Sequence, residues 1–171
     1  KIVKEELNAE HYFNQGIKFL IDYFLRHSPF RDNTIATEKK VIINLDEEGK
    51  YKLQGYIDRL VHHKDTNILE IHDYKTGGFL KTQEELDTDK QLALYSLAIK
   101  ELFKEVKDIH LIWHFLAFNE KRISKRTDEQ LEQLKQEIIQ LIDKIESTTD
   151  FKPNPSILCK WCEFKSYCQH E

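Results

Sequence analysis

Of the 171 residues not one is methionine, and only three are cysteine. The missing methionine extends to position 1, so the chain is expected to be a fragment or processed piece that lacks an N-terminal segment. No apolar run approaches the roughly 20 residues that a membrane-spanning helix needs. The first ten residues, KIVKEELNAE, are charged and hold no apolar stretch of the signal-peptide kind. A cytoplasmic location is therefore expected. There is no internal repeat and no low-complexity segment. A glycine-rich phosphate loop, a dinucleotide fingerprint and a Ser/His/Asp set are all missing. An excess of positive charge is missing too: 26 Lys and Arg against 30 Asp and Glu leave a net charge of −4. Such a chain does not coat nucleic acid by bulk attraction. Any contact with phosphates must be a local patch, helped by bound cations that offset acidic groups. What is present is one domain's worth of chain, with 40% hydrophobic residues to build a core.

The stretch from Leu53 to Gly77 reads LQGYIDRLVHHKDTNILEIHDYKTG. It reads as two antiparallel strands. The first alternates through Leu53, Gly55, Ile57, Arg59 and Val61; the second is Ile68 to Lys75. Lys64-Asp65-Thr66-Asn67 between them is polar and turn-prone. With those four in the loop, His63 pairs with Ile68, and counting back puts Asp58 opposite Asp73. Opposed residues have Cβ atoms roughly 4.5–5.5 Å apart, and like charges there repel. Period-two alternation puts Lys75 on the face of Asp73. Carboxylates crowded in this way need a shared proton or a bound cation. A hard divalent ion takes one or two carboxylates and keeps open positions for water and phosphate oxygens. A neighbouring lysine can bind phosphate or orient water, and this is the chemistry of metal-assisted phosphodiester hydrolysis. The alternative is that these are solvated charges on an exposed face. The Ile, Leu and Tyr around Asp73 and the convergence of register favour the site.

The remaining pattern is read in order. Asn8 to His27 carries apolar residues at helical spacing (Tyr12, Ile17, Leu20, Ile21, Phe24, Leu25) and stops at Ser28-Pro29. Thr34 to Leu45 is a strand with β-branched Val41, Ile42 and Ile43. Asp46-Glu47-Glu48-Gly49 is a turn. Phe79 to Asp89 is a polar connector. Asp89 to Phe103 is a helix on which Gln91 and Tyr95 share a face. Ile109 to Phe118 is apolar almost throughout, as in a strand buried on both faces. Thr127 to Ser147 is a helix with a Thr127/Gln130 capping box and an apolar stripe from Leu131 to Ile145. A helix between strands signals parallel pairing. The expectation is an α/β domain over residues 1–171: a meander of three strands, a fourth reached by crossover, and helices packed on the mixed sheet.

Gly55-Tyr-Ile-Asp58, Asp73-Tyr-Lys75-Thr-Gly77 and Gln91-x-x-x-Tyr95 together resemble the PD-(D/E)xK nuclease superfamily, and within it the RecB-like exonuclease branch. The resemblance runs from about Thr34 to the C-terminus. It implies the restriction-endonuclease-like αβββαβ core and a metal-dependent deoxyribonuclease of DNA repair or recombination, partnered by DNA and by a helicase. It implies that Asp58 and Asp73 bind Mg²⁺ or Mn²⁺, with the Tyr74 carbonyl as a further ligand. Lys75 assists the attacking water, while Gln91 and Tyr95 support the site. The branch also carries an upstream helical histidine as a metal ligand. His11 lies in the helix ahead of the sheet, and its context reads as surface.

Cys159, Cys162 and Cys168 form C-x₂-C-x₅-C within a tail spanning residues 156–171. That is metal-ligand spacing. The resemblance implies a four-iron cluster completed by a fourth cysteine from near the N-terminus. The chain as given has no fourth, and His170 would instead complete a Cys₃His zinc site. Glu38 is a further acidic candidate or a solvated residue. Lys121, Arg122, Lys125 and Arg126 read as a basic loop after the last strand, in phosphate contact or merely solvated. Lys81 and Lys90 are weaker phosphate candidates. Trp113 and Trp161 read as core and tail packing. His62, His63, His72, His110 and His114 read as satisfied strand histidines. Two other functions remain open: a non-catalytic DNA-binding or helicase-associated module, and a zinc-binding interaction domain.

Overall fold

A computed structural model describes residues 8–168 of the chain. The first helix, α1 (Ala9–His27), starts at Asn8, whose side chain accepts the His11 N–H, and ends at Ser28 ahead of Pro29. Three strands follow: β1 (Thr34–Asn44), β2 (Lys52–His63) and β3 (Ile68–Lys75). The β1–β2 turn is closed by Asp46, whose carboxylate accepts the N–H groups of Lys50 and Tyr51, with Gly49 at a φ of 70°. After β3 come α2 (Gln83–Thr88), α3 (Gln91–Leu102) and β4 (Asp108–Phe115). A one-turn 3₁₀ segment leads into β5 (Glu120–Ser124), and α4 (Asp128–Ser147) completes the core.

The sheet order is β1-β2-β3-β4-β5, and only β3 and β4 pair in parallel. This is the expected meander with a helical crossover. Leu60, Leu69, Ile71, Leu111 and Trp113 build one face of the sheet. Against it pack Leu92, Ala93 and Ile99 of α3 and Leu131, Leu134 and Ile138 of α4. β4 is buried on both faces from Leu111 to Phe115, as its continuous apolar run requires. The Thr127/Gln130 capping box opens α4.

Three features differ from the sequence reading. Residues 120–124 form β5 rather than a loop, paired to β4 from Leu111↔Ser124 to Phe115↔Glu120. The connector from Phe79 to Asp89 contains α2, capped by Thr82 and Glu85. The apolar stripe of α1 buries little: Phe19 is its one buried residue, while Phe13, Leu20 and Leu25 stay exposed.

Candidate active site

The β2–β3 ladder runs from His63↔Ile68 to Arg59↔His72, the register that a Lys64–Asn67 turn dictates. Asp58 and Asp73 are the next residues outward, where the ladder ends. There the Asp58 Oδ2 accepts the backbone N–H of Tyr74 at 2.9 Å. A carboxylate thus takes the place of a missing ladder partner and closes the gap between the strands.

β2 does not alternate evenly on its way there. Leu53, Gly55 and Ile57 face α3, and so does Leu60. Arg59 and Val61 line a cavity on the opposite face with Glu70 and His72. The strand turns over between Ile57 and Leu60, correcting the uniform alternation expected. Beside the turnover, β1 pairs Thr37↔Arg59 and Lys39↔Ile57 without a Glu38–Asp58 pair. Glu38 sits at a φ of 47°, the left-handed region that an L-residue enters at a cost. Its exposed side chain makes no hydrogen bond in the site, so its part is in the backbone.

Asp73 is buried at 4% exposure. Its Oδ1 accepts the Gln91 Nε2–H at 2.9 Å. Its Oδ2 lies 2.8 Å from the Lys75 Nζ, an ion pair out of line for a hydrogen bond, and this buried oxygen has no hydrogen-bond partner. Lys75 donates instead to the Gln91 Oε1 at 2.8 Å. Asp73, Lys75 and Gln91 therefore form a closed triangle from the end of β3 to the first turn of α3. Burial pushes the Asp73 carboxyl above its ordinary range; Lys75 opposes this, and the Asp58 and Asp89 carboxylates add to it.

Tyr95, one turn beyond Gln91, takes no hydrogen bond from these groups. Its ring lies on Gly55. A Cβ on Gly55 would fall 2.3 Å from the Tyr95 Cε1. The glycine of G-x-x-D is thus the seat for the tyrosine of Q-x-x-x-Y, which docks α3 onto β2 three residues from Asp58.

Sequence reasoning missed Asp89. Its Oδ1 accepts the Gln91 N–H at 2.8 Å and its Oδ2 accepts from Lys81 at 2.6 Å. An aspartate two residues ahead of a helix was the available signal. The expected basic loop is occupied by internal ties. Arg122 donates to the Lys81 carbonyl, Arg126 donates to the Leu86 and Asp89 carbonyls, and Lys125 pairs with Asp108. Lys121 is exposed, and Lys90 pairs with Glu137. Trp113 is fully buried, its Nε1–H donating to the Ser124 Oγ; Trp161 is half exposed. His11 is exposed.

The strand histidines behind the site are satisfied. His72 donates from Nε2 to the Glu70 Oε2 at 3.0 Å, while its Nδ1 contacts the Arg59 Nη2 at 2.7 Å and the His114 Nε2 at 2.8 Å. His62 meets Asn67, His63 meets Glu70, and His110 meets Asp108. His114 stacks on Tyr74, whose hydroxyl meets that of Tyr23 in α1 at 2.8 Å.

The site's donors are hard oxygens: two carboxylates, one of them with a buried oxygen that accepts no hydrogen bond. That set fits a hard divalent cation which keeps part of its water shell. The tail fits less well. Cys159, Cys162 and Cys168 line one cavity of about 370 Å³. Yet among the described residues no three His, Cys, Asp or Glu side chains converge to hold an ion. Cys159 Sγ accepts the Ser156 N–H at 3.2 Å. His170 lies outside the described residues. No described helix is long and apolar enough to cross a membrane.

Five strands in mixed order, helices on the sheet, and an acid–acid–lysine group at the outer end of the central hairpin define the class: a restriction-endonuclease-like α/β domain. Ten chains of solved structures match it. One, titled "Crystal structure of SSO0001", is 18% identical with a TM-score of 0.48, covering 94% of this chain and 71% of that chain. No curated protein matches. The model of the PD-(D/E)XK nuclease superfamily matches residues 6–169, and the chain belongs to that superfamily of phosphodiester-hydrolysing, metal-dependent nucleases.

Proposed function

We propose that this chain is a metal-dependent deoxyribonuclease of the RecB-like exonuclease kind, acting on DNA ends or single strands in repair or recombination, alongside a helicase. The observation that carries the reading is the Asp73–Lys75–Gln91 triangle, in which the buried Asp73 Oδ2 is ion-paired to Lys75 but accepts no hydrogen bond. Asp58, Asp73 and the Tyr74 carbonyl would hold Mg²⁺ or Mn²⁺. When bound, the ion would supply Lewis acidity and lower the pKa of a water.

The chain's own residues do the rest. Gln91 holds Asp73 and Lys75 in fixed relation, so neither side chain has to be ordered when substrate arrives. The half-exposed Lys75 ammonium reaches solvent, where it orients the attacking water and offsets charge growing on the phosphate oxygens. Asp58 ties β2 to β3 through the Tyr74 N–H and so fixes the backbone between the two acids. Tyr95 keeps α3, and with it Gln91, seated on β2. Cleavage of linear DNA with Mg²⁺ or Mn²⁺ tests this. Asp73→Ala and Lys75→Ala are each expected to abolish it while the thermal transition is retained. Undiminished metal-dependent cleavage by either variant overturns the assignment.

A second reading is favoured by one observation: among the described residues the site has two acids but no third His, Cys, Asp or Glu side chain converging on them. Under it the domain binds DNA or a helicase without cutting. Absence of Mn²⁺ binding to the intact chain, and of cleavage, would establish that reading over the first.

The tail belongs to the same proposal. Cys159, Cys162 and Cys168 face one cavity, and they would hold a four-iron cluster, or zinc with His170. Iron or zinc at about one site per chain in the purified protein is expected, lost in Cys162→Ser. Metal-free protein of unchanged stability overturns this part.

A further inference from the structure

The loop after the D-x-K strand stands between two lysines that share one indole. The Lys75 Nζ lies 5.7 Å from the centre of the Trp113 ring, and the Lys81 Nζ lies 5.8 Å from it. Lys81 is not a free surface lysine. Its carbonyl accepts from Arg122 at 2.7 Å, and its ammonium is held by Asp89 at 2.6 Å. Asp89 in turn holds the first N–H of α3, the helix that carries Gln91. The ammonium is thus fixed in relation to Asp73 and Lys75 yet remains part-exposed.

The arch between the two lysines, Thr76 to Leu80, carries no ion pair. Gly77 and Gly78 have open space around them: a Cβ added to either would meet nothing within 4 Å. Phe79, next along, is 65% exposed. An exposed aromatic ring between two placed cations, with open space beside it, matches the two devices by which single strands are bound. Cations follow the backbone, and rings stack on unpaired bases. In a duplex the base faces are already stacked, so a duplex can use the lysine but not the phenylalanine.

We propose that Phe79 and Lys81 form a cradle for an unpaired nucleotide beside the one cleaved, Phe79 stacking its base and Lys81 binding its phosphate, so that this domain takes single-stranded nucleic acid or frayed ends in preference to duplex. The proposal rests on the nuclease reading and deepens it by naming the form of the substrate.

The test is a binding measurement without divalent metal, which separates it from cleavage. Fluorescein-labelled oligo-dT and a blunt duplex of the same length are titrated with the full chain in EDTA, across a series of salt concentrations. Phe79→Ala is expected to weaken oligo-dT binding by roughly fivefold to a hundredfold, the range that stacking on one base supplies. It should leave duplex binding and the salt dependence unchanged. Lys81→Ala should weaken both and lower the slope of log K against log salt on the single strand by about 0.7. Rescue of the slope by Lys81→Arg distinguishes a phosphate contact from a structural tie. Oligo-dT affinity unchanged in Phe79→Ala, equal losses on strand and duplex in Phe79→Ala, or an unchanged slope in Lys81→Ala each overturn the cradle. If the unaltered chain fails to cut DNA but the binding losses appear, the nuclease reading falls and the cradle stands. If it cuts and the losses are absent, only the cradle falls.

Discussion

Gln91 joins two opposite charges through one amide. Its Oε1 takes the Lys75 ammonium and its Nε2 donates to Asp73, so the orientation of the amide is fixed by the charges on each side. Neither a carboxylate nor an aliphatic chain can replace it. Glutamate in its place would face Asp73 with a like charge, and leucine would leave Lys75 and Asp73 each short of a partner. Hydrogen bonds to charged groups contribute about 1.5–3 kcal/mol, which corresponds to about tenfold to a hundredfold in rate. Gln91→Leu is therefore expected to slow single-turnover cleavage by that factor with little change in DNA affinity. An unchanged rate would show that the amide is a bystander. The identity of these residues was legible in the sequence, because acid, acid and lysine fell together from strand register alone. Their bonding was not: spacing places Gln91 near the site but does not say that it bridges Lys75 and Asp73. Asp89 has no such mark, because no periodicity singles it out; Lys81 reads as a weak phosphate candidate, and its tie to Asp89 is not visible in the sequence.

At the scale of elements, the hairpin register and the long helices were legible, and what was lost was irregular. β5 reads EKRIS, with a single apolar side chain that is itself half exposed, so an edge strand looked like a basic loop. α2 is six residues long, too short for an apolar stripe to show. The turnover of β2 between Ile57 and Leu60 leaves no mark in the sequence, and neither does the left-handed Glu38 beside it on the neighbouring strand, since glutamate does not announce a positive φ. The glycine of G-x-x-D has a purpose that appears only once α3 is docked: the Tyr95 ring occupies the space of its missing side chain. Gly55→Ala must therefore push the tyrosine and the start of α3 away from β2. Overpacking of this kind costs about 1–3 kcal/mol, or a fall in Tm of roughly 2–12 °C for a chain of this size. Adding Tyr95→Ala should remove the clash, so the double variant is expected to lose less stability than the two single losses combined. Strict additivity in thermal melts would place the ring elsewhere.

The whole molecule was legible because a helix between β3 and β4 left parallel pairing as the simple topology. What was not legible is how the back of the sheet is filled. There β3 and β4 present His72 and His114, with Arg59 from β2, Asp32 from the β1 approach, and Tyr23 and His27 from α1. Burial, then the neighbouring His72 and Arg59, pull the His114 imidazole down to about 3, and burial likewise lowers His72. The Glu70 carboxyl is held at about 2, chiefly by its hydrogen bond from His72. An imidazole that is neutral in the fold but titrates near 6.5 when unfolded binds its proton only on unfolding. Its full contribution to stability is therefore present above about pH 6.5 and drains away as pH falls toward 3. The loss is up to roughly 1.4 kcal/mol per pH unit for each such group. Glu70 works in the same direction below its ordinary range, being lost as pH falls toward about 2. Asp73, with its raised carboxyl, works against both. Between pH 7.5 and 4.5 the imidazoles of His72 and His114, joined by the lowered His27, act together against the single raised carboxyl of Asp73, while Glu70 changes little until the lower end. Tm should accordingly hold level above pH 7 and decline steadily below pH 6.5. His114→Phe keeps the ring stacked on Tyr74 and removes one titrating group, so its decline over the same window should be visibly shallower than that of the unaltered chain. Parallel curves for the two proteins would mean that the acid sensitivity lies elsewhere, and a level curve for the unaltered chain would mean that this cluster tolerates charge.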